Sequence, residues 1–132
     1  MKAPKAHRES VRNMVADVCL LAEVPFKECS DRQRQALAAF AYGMLISYGL
    51  REELAPEVVR SLQSLVLVDV LNFPENRATI VQEELDKAAR FVGPPLTVTI
   101  VPWGCIGHTL WREGQKDQIK AILKDMLKAA EE

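Results

Sequence analysis

Apolar residues recur every three or four positions along most of the chain, which is the spacing of a helix face that packs on a core. The pattern predicts amphipathic helices over residues 11–22 and 116–130. A further helix, centred on residues 36–48, interleaves large apolar residues with alanine and glycine. With the segments described below, the pattern predicts an all-α fold, a compact single-domain bundle of five to six helices.

The first helix is predicted to begin late. Ser10 can accept a hydrogen bond from a backbone N–H in the following turn, so it can cap a helix that starts at Val11. Residues 1–9 are then expected to form a flexible arm of a single helical domain that spans residues 1–132. Pro25 is expected to end this helix, because proline disrupts the hydrogen bonding of a helix interior.

The second helix has the clearest start signal in the chain. Ser30 and Gln33 have the spacing of a capping box, in which each side chain accepts a hydrogen bond from the backbone N–H of the other residue. Gly49 is expected to end the helix, because glycine readily adopts the left-handed conformation of a helix C-terminus. Gly43 lies inside the helix, where glycine costs about 1 kcal/mol relative to alanine. We therefore expect a neighbouring helix to approach closely at Gly43.

Prolines mark the starts of the next two helices. Pro56 suits a first helical turn, where a missing N–H leaves no hydrogen bond unmade. The helix that follows runs to about Asn72 and is apolar on more than one face, so we expect it to lie centrally in the bundle. Pro74 opens a fourth helix, which is expected to close at Gly93 and the two prolines after it.

The segment of residues 95–114 is locally ambiguous. Residues 96–101 have strand propensity, but a single strand would have no partner in a chain that is otherwise helical. The two prolines before them also suit a helix start, so we favour a helix that is kinked near Pro102. The residues expected roughly along one face of this helix are Ile100, Trp103, Gly107 and Trp111.

Composition excludes several classes of protein. Apolar residues make up 48% of the chain, which is enough for a core. The formal net charge of −1 argues against a nucleic-acid-binding domain, which normally carries a basic excess. No apolar run reaches the length of a membrane span, and the polar N-terminus is not expected to be a secretory signal. Three scattered cysteines suit a reducing cytoplasm.

Charge is distributed unevenly along the chain. Residues 51–86 contain three basic and eight acidic side chains, a local net charge of −5. Such residues usually form solvated helix faces, but they can also form a patch that faces a basic partner. The candidate partner-binding residues are Glu52, Glu53, Glu57, Glu75, Glu83 and Glu84.

Reaction chemistry finds little support in the sequence. Cys105 and His108 would be neighbours on a helix, but no carboxylate is placed to orient the histidine. Beyond this pair, no short spacing of zinc ligands occurs, and no phosphate-binding glycine loop is present. We therefore predict no enzymatic activity, no metal site and no cofactor. An enzyme or sensor that uses these two residues is an alternative, and it requires a cysteine of lowered pKa.

Aromatic residues are the other candidates for a binding surface. Trp103 and Trp111, followed by Tyr42 and Tyr48, can anchor a protein interface when they are partly exposed. The same side chains can equally fill the core of the bundle. The two tryptophans lie in the segment IVPWGCIGHTLWRE, which concentrates more unusual residues than any other part of the chain.

Two segments, AAFAYGM at residues 38–44 and IVPWGCIGHTLW at residues 100–111, resemble those of a known family. Their order, with a proline-initiated apolar helix between them, is similar to that of the all-helical immunity proteins of bacterial polymorphic toxin systems, and most similar to the Immunity protein 48 family. The resemblance covers about residues 37–113, and we interpret its motif positions as helix-packing residues. These positions are Phe40, Gly43, Met44, Gly104, Gly107, His108 and Trp111.

The resemblance implies a cytoplasmic protein made beside a secreted antibacterial toxin, often one delivered by a contact-dependent or type VI secretion route. Such a protein binds its cognate toxin and occludes the toxin's active site. The acidic middle of the chain suggests that the toxin is basic, and neither nucleic acid nor a membrane is an expected partner. A small helical adaptor or effector chaperone of a secretion system is the alternative, since it shares the same size and charge.

Overall fold

The structure is a computed structural model, and it describes residues 3–24 and 28–131. These residues form six α-helices and no β-strand, which confirms the predicted all-α fold. A π-helical turn, Val66–Val70, prolongs the third helix. The helices are α1 (Lys5–Leu21), α2 (Asp31–Arg51), α3 (Pro56–Leu65), α4 (Glu75–Ala89), α5 (Pro95–Arg112) and α6 (Lys116–Glu131).

Helix α2 lies at the centre of the fold. Residues 36–45 are all buried, so this part of the helix has no face open to solvent. The small side chains predicted from the sequence allow neighbours to approach on every side, and α5 packs on α2 more extensively than any other helix does. Helix α3 was predicted to be central, and this was wrong. It buries Val58 and Leu62 but exposes Arg60 and Ser64, so it is amphipathic.

Helix α1 begins at Lys5, six residues earlier than predicted. Its N-cap residue is Pro4, and Ser10 lies inside the helix. The part of the predicted flexible arm that follows Pro4 is therefore helical. A tertiary contact accounts for the difference, because the Nδ1 atom of His7 lies 2.7 Å from the hydroxyl oxygen of Tyr48 and ties the first turn of α1 to α2.

The capping box at the start of α2 is confirmed. The backbone N–H of Gln33 donates to the Ser30 hydroxyl over 3.1 Å, and the backbone N–H of Ser30 donates to the Gln33 side chain over 3.1 Å. These two bonds satisfy backbone groups that a helix start leaves without partners. Pro25, which was predicted to end α1, lies outside the described residues, and the last residue of α1 is Leu21.

Gly49 does not end α2, contrary to prediction. The helix continues to Arg51, and the left-handed conformation is adopted by Glu53, whose φ is 54°. Gly49 serves packing instead, because an added Cβ atom there would lie 2.5 Å from a methyl carbon of Val59 on α3.

The later elements follow the sequence closely. Helix α3 begins at Pro56, and α4 follows Pro74, as predicted, but α4 ends at Ala89, before the expected Gly93, and Phe91 adopts a left-handed conformation. The ambiguous segment is a helix with Pro102 inside it, so the strand alternative was wrong. Helix α6 has the predicted apolar face and lies against the start of α2, where the Ser30 hydroxyl donates to the Glu131 carboxylate over 2.8 Å. None of the helices in the described ranges is both long and apolar enough to cross a membrane.

Candidate functional site around helix α5

Helix α5 crosses α2 at two facing glycines. A Cβ atom added to Gly43 would overlap the carbonyl oxygen of Val101 and lie 2.9 Å from the Cα atom of Gly104. A Cβ atom added to Gly104 would overlap the carbonyl oxygen of Phe40 and lie 2.9 Å from the Cα atom of Gly43. The two backbones are thus in direct contact, and only glycine fits at either position. The predicted close approach at Gly43 is confirmed.

Three more of the motif residues belong to the same crossing. Gly107 makes room for the ring of Phe40, since an added Cβ atom would lie 2.9 Å from the ring carbon Cε1. Phe40 and Met44 are both fully buried. The structure therefore brings Phe40, Gly43, Met44, Gly104 and Gly107 together between two helices, where they determine how closely the helices pack.

A buried polar cluster lies one turn beyond the glycines. Its centre is His108, which is only 2% exposed. The Nδ1 atom of His108 is 2.8 Å from the hydroxyl oxygen of Ser47, and its ring meets the Tyr48 ring edge-on at a centroid distance of 5.9 Å. Tyr48 also contacts His7, edge-on at 5.7 Å, so both histidines of the chain contact one tyrosine.

His108 and Tyr48 are held in their uncharged forms. Burial lowers the pKa of His108, and the nearby positive charges of Arg112 and Arg51 lower it further, while Glu52 opposes them. Burial also raises the pKa of Tyr48. At neutral pH His108 is therefore a neutral ring that can donate at one nitrogen and accept at the other.

Ser47 and His108 have one property of a catalytic pair and lack another. Their separation of 2.8 Å is within the range at which a histidine activates a serine. Such a histidine also needs a group that orients it and stabilises its charged form, usually a carboxylate. The other ring in contact with His108 belongs to Tyr48, which meets it edge-on. The arrangement is that of a hydrogen-bonded packing cluster.

Cys105 does not have the properties of a reactive thiol. Burial raises its pKa, so the sulfur stays protonated at neutral pH. A redox sensor or nucleophile needs the opposite shift. The alternative that relied on Cys105 and His108 therefore lacks its required feature. Among the described residues, no group of three or more His, Cys, Asp and Glu side chains could hold a metal ion.

The two tryptophans of α5 differ in burial. Trp111 is half-buried beside the polar cluster, and its indole N–H is buried without a hydrogen-bond partner among the described residues. Trp103 is 45% exposed. Trp103 lies about 60° from Ile100 around the helix axis and lines the same cavity, so it is at the margin of the face predicted for Ile100, Gly107 and both tryptophans. It lies next to Gly104, about 100° away around the helix axis, and so at the edge of the buried face.

The six acidic candidates are all exposed but do not form one patch. Arg60 Nη1 and Asp86 Oδ2 are 2.6 Å apart, so the start of α3 lies beside the end of α4. Glu75 lies eleven residues before Asp86, about 16 Å away along the helix axis. Three of the six lie close together in the sequence at the passage from α2 to α3. Glu52 and Glu53 belong to the short connection, and Glu57 is the second residue of α3.

Glu83 and Glu84 point in different directions on α4. Glu83 is close enough to Arg60 on α3 to raise the pKa of that guanidinium, after the larger effect of Asp86. The Glu84 carboxylate accepts a hydrogen bond of 3.1 Å from the side chain of Gln35 on α2. They therefore face different neighbours, since adjacent positions on a helix are about 100° apart around its axis.

A comparison with known sequences identifies the family of this chain. The sequence model of a family described as Immunity protein 48 matches residues 7–131. The chain belongs to the Immunity protein 48 family. No curated protein and no solved structure matches the chain. The Immunity protein 48 match extends the resemblance beyond residues 37–113 into α1 and α6, and it includes His7.

Sequence reasoning missed His7 and Ser47, and it named Tyr48 only as an aromatic of the core or of an interface, without its histidine partners. His7 was placed in an arm, and nothing local connects it with a residue 41 positions later. Ser47 and His108 had a signal that was not used. Each lies four residues after a glycine of the crossing, Gly43 or Gly104, so two helices that run in the same direction past that contact bring the next turns together.

Proposed function

We propose that this protein is a cytoplasmic immunity protein that binds a cognate antibacterial toxin and neutralises it by occluding its active site. The observation that carries the proposal is family membership over residues 7–131. The toxin is a secreted protein of a polymorphic toxin system, delivered by a contact-dependent or type VI route. The protein itself has no catalytic activity, which fits an uncharged polar cluster and a Cys105 thiol of raised pKa.

An inhibitor that occludes an active site needs no reactive groups, but its surface must be complementary in shape to the toxin. A stable inhibitor complex usually buries about 1,600 Å² of surface in total, which is within reach of a six-helix protein of this size. The tight glycine crossing of α2 and α5 gives such a surface a rigid support. Rigid partners lose little conformational entropy on binding, and this favours high affinity.

Co-expression tests the proposal directly. The product of the adjacent gene is expressed in bacteria with and without this protein, and growth and co-purification are both measured. We expect growth to be restored and the two proteins to purify as a complex. If neither occurs, the proposal is wrong. If they co-purify but the adjacent product alone is harmless, the effector-chaperone function is favoured instead.

The proposed toxin is basic, and the acidic group that attracts it is the α2–α3 connection. The three carboxylates in and just after this connection are exposed and lie within six residues of the chain, so they raise the association rate by steering a cationic partner. Reversing them to lysine is expected to slow association at low salt and to flatten its salt dependence. Glu75→Lys is the matched control, because Glu75 is exposed but belongs to the far end of α4. Equal association rates for all variants would remove the steering hypothesis. The residues reversed together are Glu52, Glu53 and Glu57.

A further inference from the structure

The outward side of α5 forms an apolar groove with α6. One part of it is a cavity of about 230 Å³ whose walls include Leu96 and Trp103 on α5 and Ile122 and Met126 on α6. That volume is close to the size of one large apolar side chain. The cavity is therefore a specific recess and differs from a flat apolar face.

The groove continues from this cavity towards the start of α5. A second cavity of about 450 Å³ shares Leu96 and Ile100 with the first and extends to Pro94 and to Arg32 on α2. Nine residues separate Trp103 from Pro94, so the groove is about 13 Å long. This length suits two turns of a helix or about four residues of an extended segment.

Exposed apolar side chains border the groove. Trp103 is 45% exposed and Leu96 is 37% exposed, while Ile106, one turn beyond Trp103, is 46% exposed. Such exposure of large apolar groups beside a recess is typical of protein-binding surfaces. Tryptophan in particular is enriched among the residues that dominate binding energy.

The two ends of the groove carry opposite charges. Asp125 borders only the cavity beside Trp103, and Arg32 borders only the cavity beside Pro94. Within the part of the chain that the structure describes, neither side chain forms an ion pair. Both charges are therefore available to a bound segment, and their order gives that segment a direction.

We propose that this groove is the main docking site for the toxin. Its occupant is a toxin segment that inserts one large apolar side chain beside Trp103. A basic residue of the segment lies next to that anchor and faces Asp125, and an acidic residue faces Arg32. The inference rests on the proposed function and adds to it the contact surface and the chemistry of the segment that binds.

This surface is separate from the acidic α2–α3 connection. Arg32 is the second residue of α2, and Glu52 follows the last. Twenty residues of helix separate them by about 30 Å, so one interface of ordinary size cannot be centred on both. In this arrangement the acidic connection influences the rate of association, and the groove determines the lifetime of the complex.

The test uses the full-length protein and the product of the adjacent gene, carrying a substitution that abolishes its toxicity. Binding is measured for wild type, Trp103→Ala and Asp125→Lys, with Ile80→Ala as the matched control. Ile80 is 53% exposed on α4, so its truncation also removes an exposed apolar side chain but leaves the groove intact. We expect Trp103→Ala to weaken binding at least about 30-fold, through faster dissociation, and Ile80→Ala to change it less than about 3-fold.

A fluorescence experiment tests the same surface while the Trp103 side chain is kept. In a Trp111→Phe background, Trp103 is the only remaining tryptophan of the chain. We expect the adjacent gene's product, with its own tryptophans replaced by phenylalanine, to shift the Trp103 emission to the blue and protect it from acrylamide quenching. An unchanged emission on formation of the complex would place Trp103 outside the interface.

Each result separates the groove from the proposed function. If wild type binds and protects, and Trp103→Ala binds the toxin with the same affinity as wild type, the groove is not the docking site and the immunity function still stands. Failure of wild type itself would remove the function. If Trp103→Ala instead turned a dimer into a monomer without affecting toxin binding, the groove would be a self-association surface and the inference wrong.

Discussion

Replacing Gly43 by alanine tests the helix crossing on which α5 depends. The new Cβ atom would overlap the carbonyl oxygen of Val101 and lie 3.0 Å from its carbonyl carbon and 2.9 Å from the Cα atom of Gly104. All three are backbone atoms, which cannot rotate away as a side chain can. To remove this overlap, α2 and α5 must move apart by about 1 Å, and packed side chains on both helices then lose contact.

The expected magnitude is the difference of two effects. Overpacking a core usually costs about 1–3 kcal/mol, and the absence of any movable partner places Gly43→Ala at or slightly above the top of that range. Alanine is favoured over glycine in a helix by about 1 kcal/mol, which offsets part of the loss. We therefore expect the free energy of unfolding to fall by about 2–3 kcal/mol. For a chain of this length, Tm falls by about 6–12 °C.

Gly49→Ala is the matched control in the same helix. Its added Cβ atom would lie 2.5 Å from a methyl carbon of Val59, and the half-buried Val59 side chain can shift. The same gain in helix propensity applies, so we expect stability within about 1 kcal/mol of wild type. Urea unfolding followed by circular dichroism measures both variants. If Gly43→Ala proved as stable as Gly49→Ala, the backbone contact at the crossing would not be as tight as the structure has it.

Two further changes test the polar groups around α2. Tyr42 donates a short hydrogen bond to Asp86, which also pairs with Arg60, so we expect Tyr42→Phe to lower the free energy of unfolding by about 1–2 kcal/mol in urea titrations. The folded-state pKa of His108 lies below its ordinary value of 6.5, so the unfolded chain takes up this proton first as the pH falls. The free energy of unfolding should therefore decrease from about pH 7 to pH 5, and it should decrease less in His108→Gln; equal slopes for the two proteins would contradict the buried neutral ring.

The helices could be predicted because their causes are local. The capping box at Ser30, the proline before α4 and the apolar spacing of α6 each act within one or two turns. Gly43 predicted a close helix contact for a similar reason. Glycine inside a helix lowers its stability, and the close approach of a neighbouring helix compensates for this loss. The failures at Ser10 and Gly49 came where tertiary packing overrode a local signal.

The candidate site depended on distances that the sequence does not encode locally. Glu75 and Glu57 belong to one acidic stretch of the chain, yet α3 and α4 lie side by side in opposite directions and place them at opposite ends of the pair. Trp103 was predicted to share a helix face with Ile100, and the spacing left open whether it fills the core or is partly exposed. A rotation of about 100° from Gly104 was enough to bring it to the surface.

Residues on the two sides of α5, together with those of α2 and α6 that lie beside them, are under different constraints. On the inner face, Gly43 and Gly104 leave no space for any added atom, so these positions must stay constant wherever the fold is kept. On the outer face, Trp103 and Asp125 border a recess, and their replacement changes its shape and charge without disturbing the crossing. A family whose members neutralise different toxins would therefore keep the first group and vary the second. The residues that identify the family and those that select a partner are then different residues on one helix and its neighbours.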